Sequence, residues 1–372
     1  MTMPPAPTGT NLAGLRDHNA ALVLGLLRAE PHGGSRVELA ARTGLTPQAV
    51  GKITARLLDD GMIIEAGQIA STGGKPRTLL ELRPDAACAV GVHLDRDELI
   101  VLLVDLVGRI RHHSSRPVGP DLGPAEAVRT IAEEVRRAVA AAPDTGRVLG
   151  VGLGCRGPLD YAAGVLHWFI AVRPGDGSAE WDAFPLRDAL AAELGGLPVT
   201  VDKDTNTAAL AETAGPARPG GGTAYVHLAG GLGAGLVLNG TLHRGTRTNA
   251  GEFGHQTVQL DGPLCGCGNR GCLEALCLAE LRRGDHAAAA RLLGVGVANL
   301  VRVLDIDRVV LGGSAVLAAP GTYLDGVTGQ LAARIPDPVW QQVPVSISSA
   351  GRLAVALGAA ELVLGPLFGR RT

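Results

Sequence analysis

The chain has 372 residues, and its 34 Lys and Arg residues nearly balance 36 Asp and Glu residues for a formal net charge of −2. The length allows two or three domains, and a hydrophobic content of 46% is enough for a large core. This balance argues against a protein that coats nucleic acid over its whole surface. No run of eighteen apolar residues occurs, so we expect no membrane-spanning segment.

Residues 1–14 are rich in Pro and Gly, with neither a basic start nor an apolar stretch. This composition predicts a disordered tail rather than a secretory signal peptide. Six cysteines without such a signal are typical of a reducing compartment. We therefore expect a cytoplasmic protein with free thiols.

Residues 15–83 have the pattern of a winged helix-turn-helix. Ser35 and Glu38 are placed as a capping box ahead of a helix that stops near Gly44, and Thr46 is placed as the N-cap of the next helix. Two short strands, 63–66 and 78–82, flank a Gly-rich turn and are predicted to form the wing. Residues 1–83 carry a net charge of +2, whereas the remainder carries −4.

The outward face of the helix that follows Thr46 predicts DNA contacts, because Gln reads adenine while Lys and Arg reach guanine or phosphate. A basic, flexible wing fits an A·T-rich minor groove. The alternative is that the three-helix unit serves only packing or dimerisation. The residues expected at the DNA are Thr46, Gln48, Ala49, Lys52, Arg56, Lys75 and Arg77.

Beyond residue 84 the pattern is α/β. A first series consists of strands at 89–94, 99–105 and 109–115, a helix at 125–142, a strand at 148–154, a helix at 186–194, a strand at 199–202 and a helix at 205–214. A second series consists of strands at 223–228 and 235–238, a helical stretch at 278–303, a strand at 308–311 and a helix at 354–364. A strand meander followed by helices, met twice, predicts two similar lobes with a cleft between them.

One imidazole and three thiols fall within 18 residues, and this is the ligand set of a closed tetrahedral zinc site. Redox thiols or a chance cluster are the alternatives. Four protein ligands leave no open position, so we expect one structural zinc ion per chain rather than a catalytic one. Acidic residues flank the ligands, which indicates an ion that holds a binding pocket in shape. The expected ligands are His255, Cys265, Cys267 and Cys272.

Three motifs together resemble the ROK family of repressors, open reading frames and sugar kinases. They are AGEFGH at 250–255, CGCGNRGCLE at 265–274 and VDKDTNTAALAE at 201–212. The resemblance covers essentially the full chain and implies an actin-like sugar-kinase fold. It places a first lobe at about 84–203 with the C-terminal helix 352–366, and a second lobe with the zinc site at about 204–351. Family repressors add an N-terminal winged helix, which family kinases usually lack.

The family pattern also implies an effector site in the cleft. Asp204 stands at the position of the kinase catalytic base, and Glu252, His255 and Glu274 stand at sugar-hydroxyl contacts. Gly157 lies on the loop that borders the sugar. For Asp204 alone, a helix N-cap is the alternative role.

Lys203 replaces an Asn that is usual in the family. It either favours an acidic or phosphorylated effector or pairs with Asp204, and the ion pair is the favoured interpretation because a buried Lys needs a partner.

The chain departs from the kinases where they bind ATP phosphates. Kinases have Asp-x-Gly-Gly-Thr in the first strand turn, whereas residues 93–97 read HLDRD, so that His93 replaces the leading Asp and Asp97 the Thr. Two carboxylates then stand where a polyphosphate would lie, and their repulsion predicts little nucleotide affinity. The loop 173–181 also departs from the family, so one sugar contact is expected to be lost or moved.

We therefore expect a sugar-responsive, DNA-binding transcriptional regulator, a repressor of carbohydrate-uptake or catabolism genes. It is expected to be no enzyme, to bind no ATP and to associate with no membrane. A palindromic operator would be bound by a homodimer or homotetramer. The alternatives are an active ATP-dependent sugar kinase with an accessory DNA-binding head, and a constitutive DNA-binding protein whose cleft no longer binds sugar.

Overall fold

The chain folds into a head and two lobes. The computed structural model describes residues 12–30, 32–69, 77–119, 122–144, 146–167, 181–213, 221–335 and 342–370. Three sequence-based expectations fall outside these ranges: residues 1–11 of the predicted tail, the wing tip with Lys75, and residues 173–180 of the departing loop.

The head contains three helices and a small antiparallel sheet. Its elements are α1 (Leu12–Ala29), β1 (Gly34–Ser35), α2 (Arg36–Thr43), α3 (Pro47–Asp59), β2 (Ile63–Ile69) and β3 (Arg77–Leu82). The predicted caps are present: Glu38 accepts a hydrogen bond from the Ser35 N–H at 2.8 Å, and Thr46 accepts one from the Ala49 N–H. The structure differs from the prediction in three ways: α1 begins inside the predicted tail, β2 extends three residues further to Ile69, and β1, too short to predict, pairs with β3.

The two lobes follow along the chain. The first contains β4 (Ala87–Leu94), β5 (Glu98–Asp105), β6 (Ile110–Pro117), α4 (Pro124–Ala140), β7 (Arg147–Cys155), β8 (Leu159–Asp160), β9 (Val165–Leu166), α5 (Leu186–Glu193) and β10 (Val199–Lys203). The second contains β11 (Gly222–Leu228), β12 (Leu232–Leu238), β13 (Thr241–Leu242), α7 (Leu273–Arg282), α8 (His286–Leu304), β14 (Arg308–Gly312), α9 (Ser314–Ala318), α10 (Pro320–Arg334) and β15 (Val345–Ile347). Two further helices, α6 (Asp204–Glu212) and α11 (Ala354–Leu364), lie between the lobes.

Each lobe is built on a five-stranded sheet, and the two sheets have the same topology. The strand orders are β6-β5-β4-β7-β10 and β13-β12-β11-β14-β15. In each sheet the first three strands form an antiparallel meander and the last two run parallel to its first strand. The repeat expected from the sequence is therefore present.

The helix α10 was not predicted, because three glycines in fifteen residues lower its helix propensity. Its packing against α8 explains the helix and one of the three glycines, Gly326. A Cβ added at Gly326 would lie 2.6 Å from the Cβ of Ala290, and one added at Gly294 of α8 would lie 2.7 Å from the Cβ of Gln330. The glycines let the two helices approach closely, so tertiary packing overrides local propensity.

Two segments, His286–Leu304 and Gly351–Phe368, are long and apolar enough to cross a membrane by length and composition alone. Both lie in the folded body, where α8 packs against α10 and α11 contributes to two buried clusters of apolar side chains. Core helices have this composition as well.

Candidate functional site

The four predicted metal ligands meet in one cluster at the edge of the second lobe. One ligand atom from each of His255, Cys265, Cys267 and Cys272 lies within 4.8 Å of every other. The Cys265 sulfur lies 3.7 Å from His255 Nδ1, and the sulfurs of Cys267 and Cys272 are also 3.7 Å apart. Zinc–sulfur bonds of ~2.3 Å at a tetrahedral angle separate two sulfurs by about 3.8 Å, so the cluster can hold a metal ion.

The backbone around the cluster needs glycine. Gly268 and Gly271 have φ of +92° and +65°, and a Cβ at Gly271 would lie 1.5 Å from the carbonyl oxygen of Gln259. Burial raises the pKa of the Cys272 thiol to about 12. A thiolate there needs the positive charge of a metal ion.

Glu252 links the metal cluster to the strand that carries Lys203. The Lys203 ammonium donates to Glu252 Oε1 at 2.5 Å and to the Ala250 carbonyl at 3.3 Å, while Glu252 Oε2 lies 3.7 Å from His255 Nε2. The predicted pairing of Lys203 with Asp204 is therefore wrong. Lys203 is buried and does need a partner, but its side chain extends from β10 toward the 250–252 loop rather than along α6. The Glu252 side chain stays 48% exposed, so its carboxylate remains accessible.

Asp204 is the first residue of α6, directly after β10, and is not its N-cap, because that position belongs to Lys203. Its Oδ1 accepts a hydrogen bond from the Thr205 N–H at 2.7 Å. Within the described part of the chain no other hydrogen bond reaches its carboxylate, so the second oxygen can accept a bond from a ligand.

A buried ion pair, not predicted, fixes this junction. The fully buried Asp202 accepts hydrogen bonds from the Lys203 N–H at 2.7 Å, from Asn206 at 2.8 Å and from Arg244 Nε at 2.8 Å. The Arg244 guanidinium lies 3.6 Å from the centre of the Tyr161 ring. Asp202 belongs to the motif that indicated the family, but no local pattern names Arg244, 42 residues away, as its partner.

Glu274, the second residue of α7, joins the metal cluster to the turn between β11 and β12. Its Oε2 accepts the Leu232 N–H at 2.8 Å, and its Oε1 lies 3.9 Å from the Cys265 sulfur. Gly157, with φ of +117°, brings the loop after β7 to the same place, where Arg156 lies against the turn. A Cβ added at Gly231 would lie 2.4 Å from the Arg156 guanidinium and 3.3 Å from Glu274 Oε2.

Arg156 and two histidines lie close together between the β4–β5 turn and the β11–β12 turn. The Arg156 guanidinium lies 3.5 Å from Asp95. His93 at the end of β4 is buried, and no described residue bonds to either of its ring nitrogens; His227 on the equivalent strand β11 has an unbonded Nδ1. The sequence pointed to His93 but missed Arg156 and His227. The signal for Arg156 was a charged residue directly after a buried strand.

Burial lowers the pKa of both His93 and His227, although the carboxylates of Asp95 and Asp204 act in the opposite direction. Arg156 lowers the pKa of His227 further, while Glu98 raises that of His93. Both rings are therefore neutral at pH 7. In the unfolded chain each histidine takes up a proton near pH 6.5.

We predict that the free energy of unfolding decreases as the pH falls below about 6.5, because the unfolded chain then binds protons that the folded chain excludes. Each histidine contributes a loss of at most about 1.4 kcal/mol at pH 5.5. Thermal melting at pH 7.5 and 5.5 measures it, and the difference between the two pH values should shrink in His93→Gln. An equal difference in the variant and the parent would contradict the assignment. The exposed His113 provides the control variant His113→Gln.

The predicted DNA contacts lie on the head, apart from the cleft. Thr46, Gln48, Lys52 and Arg56 are exposed, and Ala49 is half-buried. Gln48, Lys52 and Arg56 follow at intervals of four residues, so they share one face of α3. Arg77, the first residue of β3, is exposed.

A protein-family sequence model described as "ROK family" matches residues 89–280, which is more than half of the chain. The chain belongs to the ROK family. The resemblance found in the motifs is thereby confirmed. A similar relative is the xylose repressor of Caldicellulosiruptor bescii, which is 24% identical over 90% of this chain and 92% of its own length.

Two solved structures of ROK proteins are similar to this chain. The first is a ROK family transcriptional regulator, a homologue of the E. coli Mlc protein, with a TM-score of 0.74, 22% identity and coverage of 95% of this chain and 97% of that one. The second is the ROK hexokinase of Thermus thermophilus, with a TM-score of 0.62, 31% identity and coverage of 75% and 99%. The prediction of a winged head on a two-lobed, actin-like fold is confirmed.

Proposed function

We propose that the protein is a sugar-responsive transcriptional repressor that binds DNA through its head and transfers no phosphate. One observation carries the proposal: a capped, exposed helix of a helix-turn-helix is joined to a two-lobed body in which Arg156 and the buried His93 lie at the turns that correspond, by the family resemblance, to the phosphate-binding turns of the kinases. The similarity to xylose repressors over nearly the full length of both chains supports it. Such a protein acts in the cytoplasm.

The effector is a sugar or sugar derivative held in the cleft. Carboxylates accept strong hydrogen bonds from sugar hydroxyls, and the open oxygen of Asp204 and the accessible Glu252 meet this need. The loop at Gly157 borders the ligand, and Lys203 belongs to the site as the partner of Glu252. The contacts we propose are Gly157, Lys203, Asp204, Glu252, His255 and Glu274.

The metal is a structural zinc ion, one per chain, held by His255, Cys265, Cys267 and Cys272. The soft sulfur donors and the closed set of four ligands favour zinc over magnesium or calcium. When bound, the ion fixes the loop that carries Glu252 and Glu274 on either side of the ligands. No open position remains on it for a reacting group.

DNA binding is assigned to the head, residues 15–83, on a body of residues 84–372 whose lobes divide near residue 204. Its contacts are Thr46, Gln48, Ala49, Lys52, Arg56 and Arg77, together with Lys75. A homodimer or homotetramer would match the two-fold symmetry of a palindromic operator.

The test begins by selecting duplexes that the full-length protein retains from a random pool, followed by mobility shifts with and without D-xylose and a panel of other monosaccharides. A sequence-specific shift that one sugar weakens or strengthens supports a sugar-responsive regulator. Recovery of no specific duplex, or release of ADP from ATP in the presence of any of these sugars, would refute the proposal. A specific shift that no sugar changes would instead support the constitutive DNA-binding protein.

We predict that Lys52→Ala weakens DNA binding about fivefold to tenfold for all duplex sequences, because the ammonium group contacts a phosphate. The slope of log K against log salt should become shallower by about one. Titrations at several salt concentrations measure both effects. Arg129→Ala, which removes an exposed cation from α4 of the body, is the control and should change neither. An unaltered slope for Lys52→Ala would show that this face of α3 does not meet the DNA.

A further inference from the structure

The helix α11 packs backbone to backbone against elements on both of its sides. On the sheet of the first lobe, a Cβ added at Gly91 or Gly152 would lie 1.9 or 1.7 Å from the carbonyl oxygen of Ala356 or Ala359. On the opposite side, a Cβ added at Gly358 would lie 1.6 Å from the carbonyl oxygen of Thr207 in α6. Contacts this close leave no compliant side chains between the elements, so α11 cannot shift without moving its neighbours.

The same helix carries the head. It continues through the turn Gly365–Phe368, and a Cβ added at Gly25 of α1 would lie 2.9 Å from the Phe368 carbonyl oxygen. Apolar residues of α1, α11 and the strand β5 form one continuous buried cluster, so the head shares a core with the first lobe. The central members are Val23, Leu24, Leu27, Ile100, Leu102, Ala356, Ala360 and Leu364.

Glu361 is the one charged residue of α11, and it is 6% exposed. Its carboxylate accepts hydrogen bonds from both terminal nitrogens of Arg28 in α1, at 2.9 and 2.5 Å. Arg370 lies 3.6 Å away, and the Arg28 guanidinium stacks 4.4 Å above the Phe368 ring. A buried carboxylate without its cation is strongly unfavourable, so Glu361 strongly favours the one position of the head that keeps Arg28 in place.

The second lobe makes no comparable connection in the described part of the chain. A separate groove of about 1160 Å³, distinct from the cleft between the lobes, lies between the second lobe and the head. It is lined on one side by Leu22, Leu26 and Arg42 and on the other by Thr241 and Arg308. The head therefore rests on α11 and the first lobe, while the side toward the second lobe is open.

We propose that Glu361 is a positioning residue for DNA binding: its ion pair with Arg28 holds the recognition helix of the head in a fixed orientation on α11. This proposal rests on the proposed function, since it assumes that the head binds DNA. The proposal also connects the effector site to the head. Asp204, a proposed effector contact, is the first residue of α6, α11 packs on α6, and the head rests on α11.

Distances between spin labels on the full-length protein test, without any ligand, whether the ion pair of Glu361 with Arg28 holds the head in one orientation on α11. Labels attached through a non-natural amino acid at the exposed positions Ala41 and Arg129 report on the head and the first lobe. Glu361→Gln should broaden the distance distribution roughly twofold, because the neutral amide no longer holds Arg28. If Glu361→Gln folds poorly, Arg28→Gln breaks the same ion pair from the side of the head and should broaden the distribution in the same way. Glu30→Gln, which breaks an ion pair within the head, is the matched control and should leave the width unchanged.

The second measurement uses a duplex that the parent protein selects from the random pool. Glu361→Gln should bind the complete operator about tenfold more weakly than the parent, because two heads that are no longer held in fixed orientations lose their pre-organisation for the two half-sites. Its affinity for a single half-site should change by less than about twofold, because the contacts of each head with DNA are unchanged. An unchanged distance distribution, or an unchanged affinity for the operator, would overturn the proposal. If the parent selects no duplex, the proposed function fails, and the distances still decide whether Glu361 holds the head.

Discussion

Replacement of Cys267 by alanine is expected to abolish stoichiometric zinc binding and to unfold the segment between Glu252 and Glu274. Structural zinc in small finger peptides contributes an apparent ~10–16 kcal/mol, which is as large as the whole stability of a typical domain. Phe253 and Leu273 anchor the two ends of the segment in the core of the second lobe, but between them it contains turns and isolated bridges rather than a sheet. Loss of one ligand therefore removes the main source of its order.

The consequence extends to the effector site, since Glu252, His255 and Glu274 all belong to this segment. We expect the melting temperature to fall by at least about 5 °C, which corresponds to a loss of a few kcal/mol in a protein of this size. Sugar binding should be lost with it. Metal analysis of the purified protein, thermal melting with and without a chelator, and calorimetric titration with D-xylose and related sugars measure these effects.

Cys277→Ala is the matched control. Cys277 is buried in α7, five residues after Cys272, and its thiol lies 3.7 Å from the Ala289 carbonyl rather than at the metal cluster. Its replacement leaves a small cavity and lowers stability modestly, but zinc should stay at one per chain. Full zinc content and unchanged melting in Cys267→Ala would show that the cluster is not a structural metal site.

The parts of this molecule that the sequence predicts well are those encoded locally. The capping box at Ser35 and the N-cap at Thr46 depend on residues within three positions of each other. The two meanders follow from short, largely apolar runs separated by turn residues, and the metal ligands follow from spacing within one short segment. Each of these features has its physical cause in neighbouring residues.

The features that the sequence did not predict depend on partners far away in the chain. Lys203 pairs with Glu252, 49 residues on, and Arg28 pairs with Glu361, 333 residues on. The general rule that a buried charge needs a counter-charge was right for Lys203, but it does not say which carboxylate will be within reach. Arg156 escaped notice for the same reason, since its place in the cleft is set by how the two lobes meet.

Asp204→Asn is expected to weaken effector binding by about 10- to 150-fold, because the site loses a charged acceptor that contributes roughly 1.5–3 kcal/mol in a hydrogen bond to a sugar hydroxyl. The substitution keeps the shape of the side chain. Its amide oxygen still accepts the Thr205 N–H, so the start of α6 should stay folded. Affinity for operator DNA without sugar should therefore remain within about twofold of the parent.

This pattern separates a regulator from a kinase. In a kinase the residue at this position acts mainly in the transition state, so its loss would lower turnover far more than sugar affinity. In a protein that only binds sugar, the lost hydrogen-bond energy appears entirely as a weaker equilibrium constant for sugar binding. Calorimetric titration measures that constant, and mobility shifts over a range of sugar concentrations should move by the same factor.

Asp97→Asn makes the same chemical change at an exposed position of the β4–β5 turn and should leave sugar affinity unaltered. Equal affinity in Asp204→Asn and the parent would mean that Asp204 does not touch the effector, and the cleft contacts inferred from the family pattern would have to be reassigned.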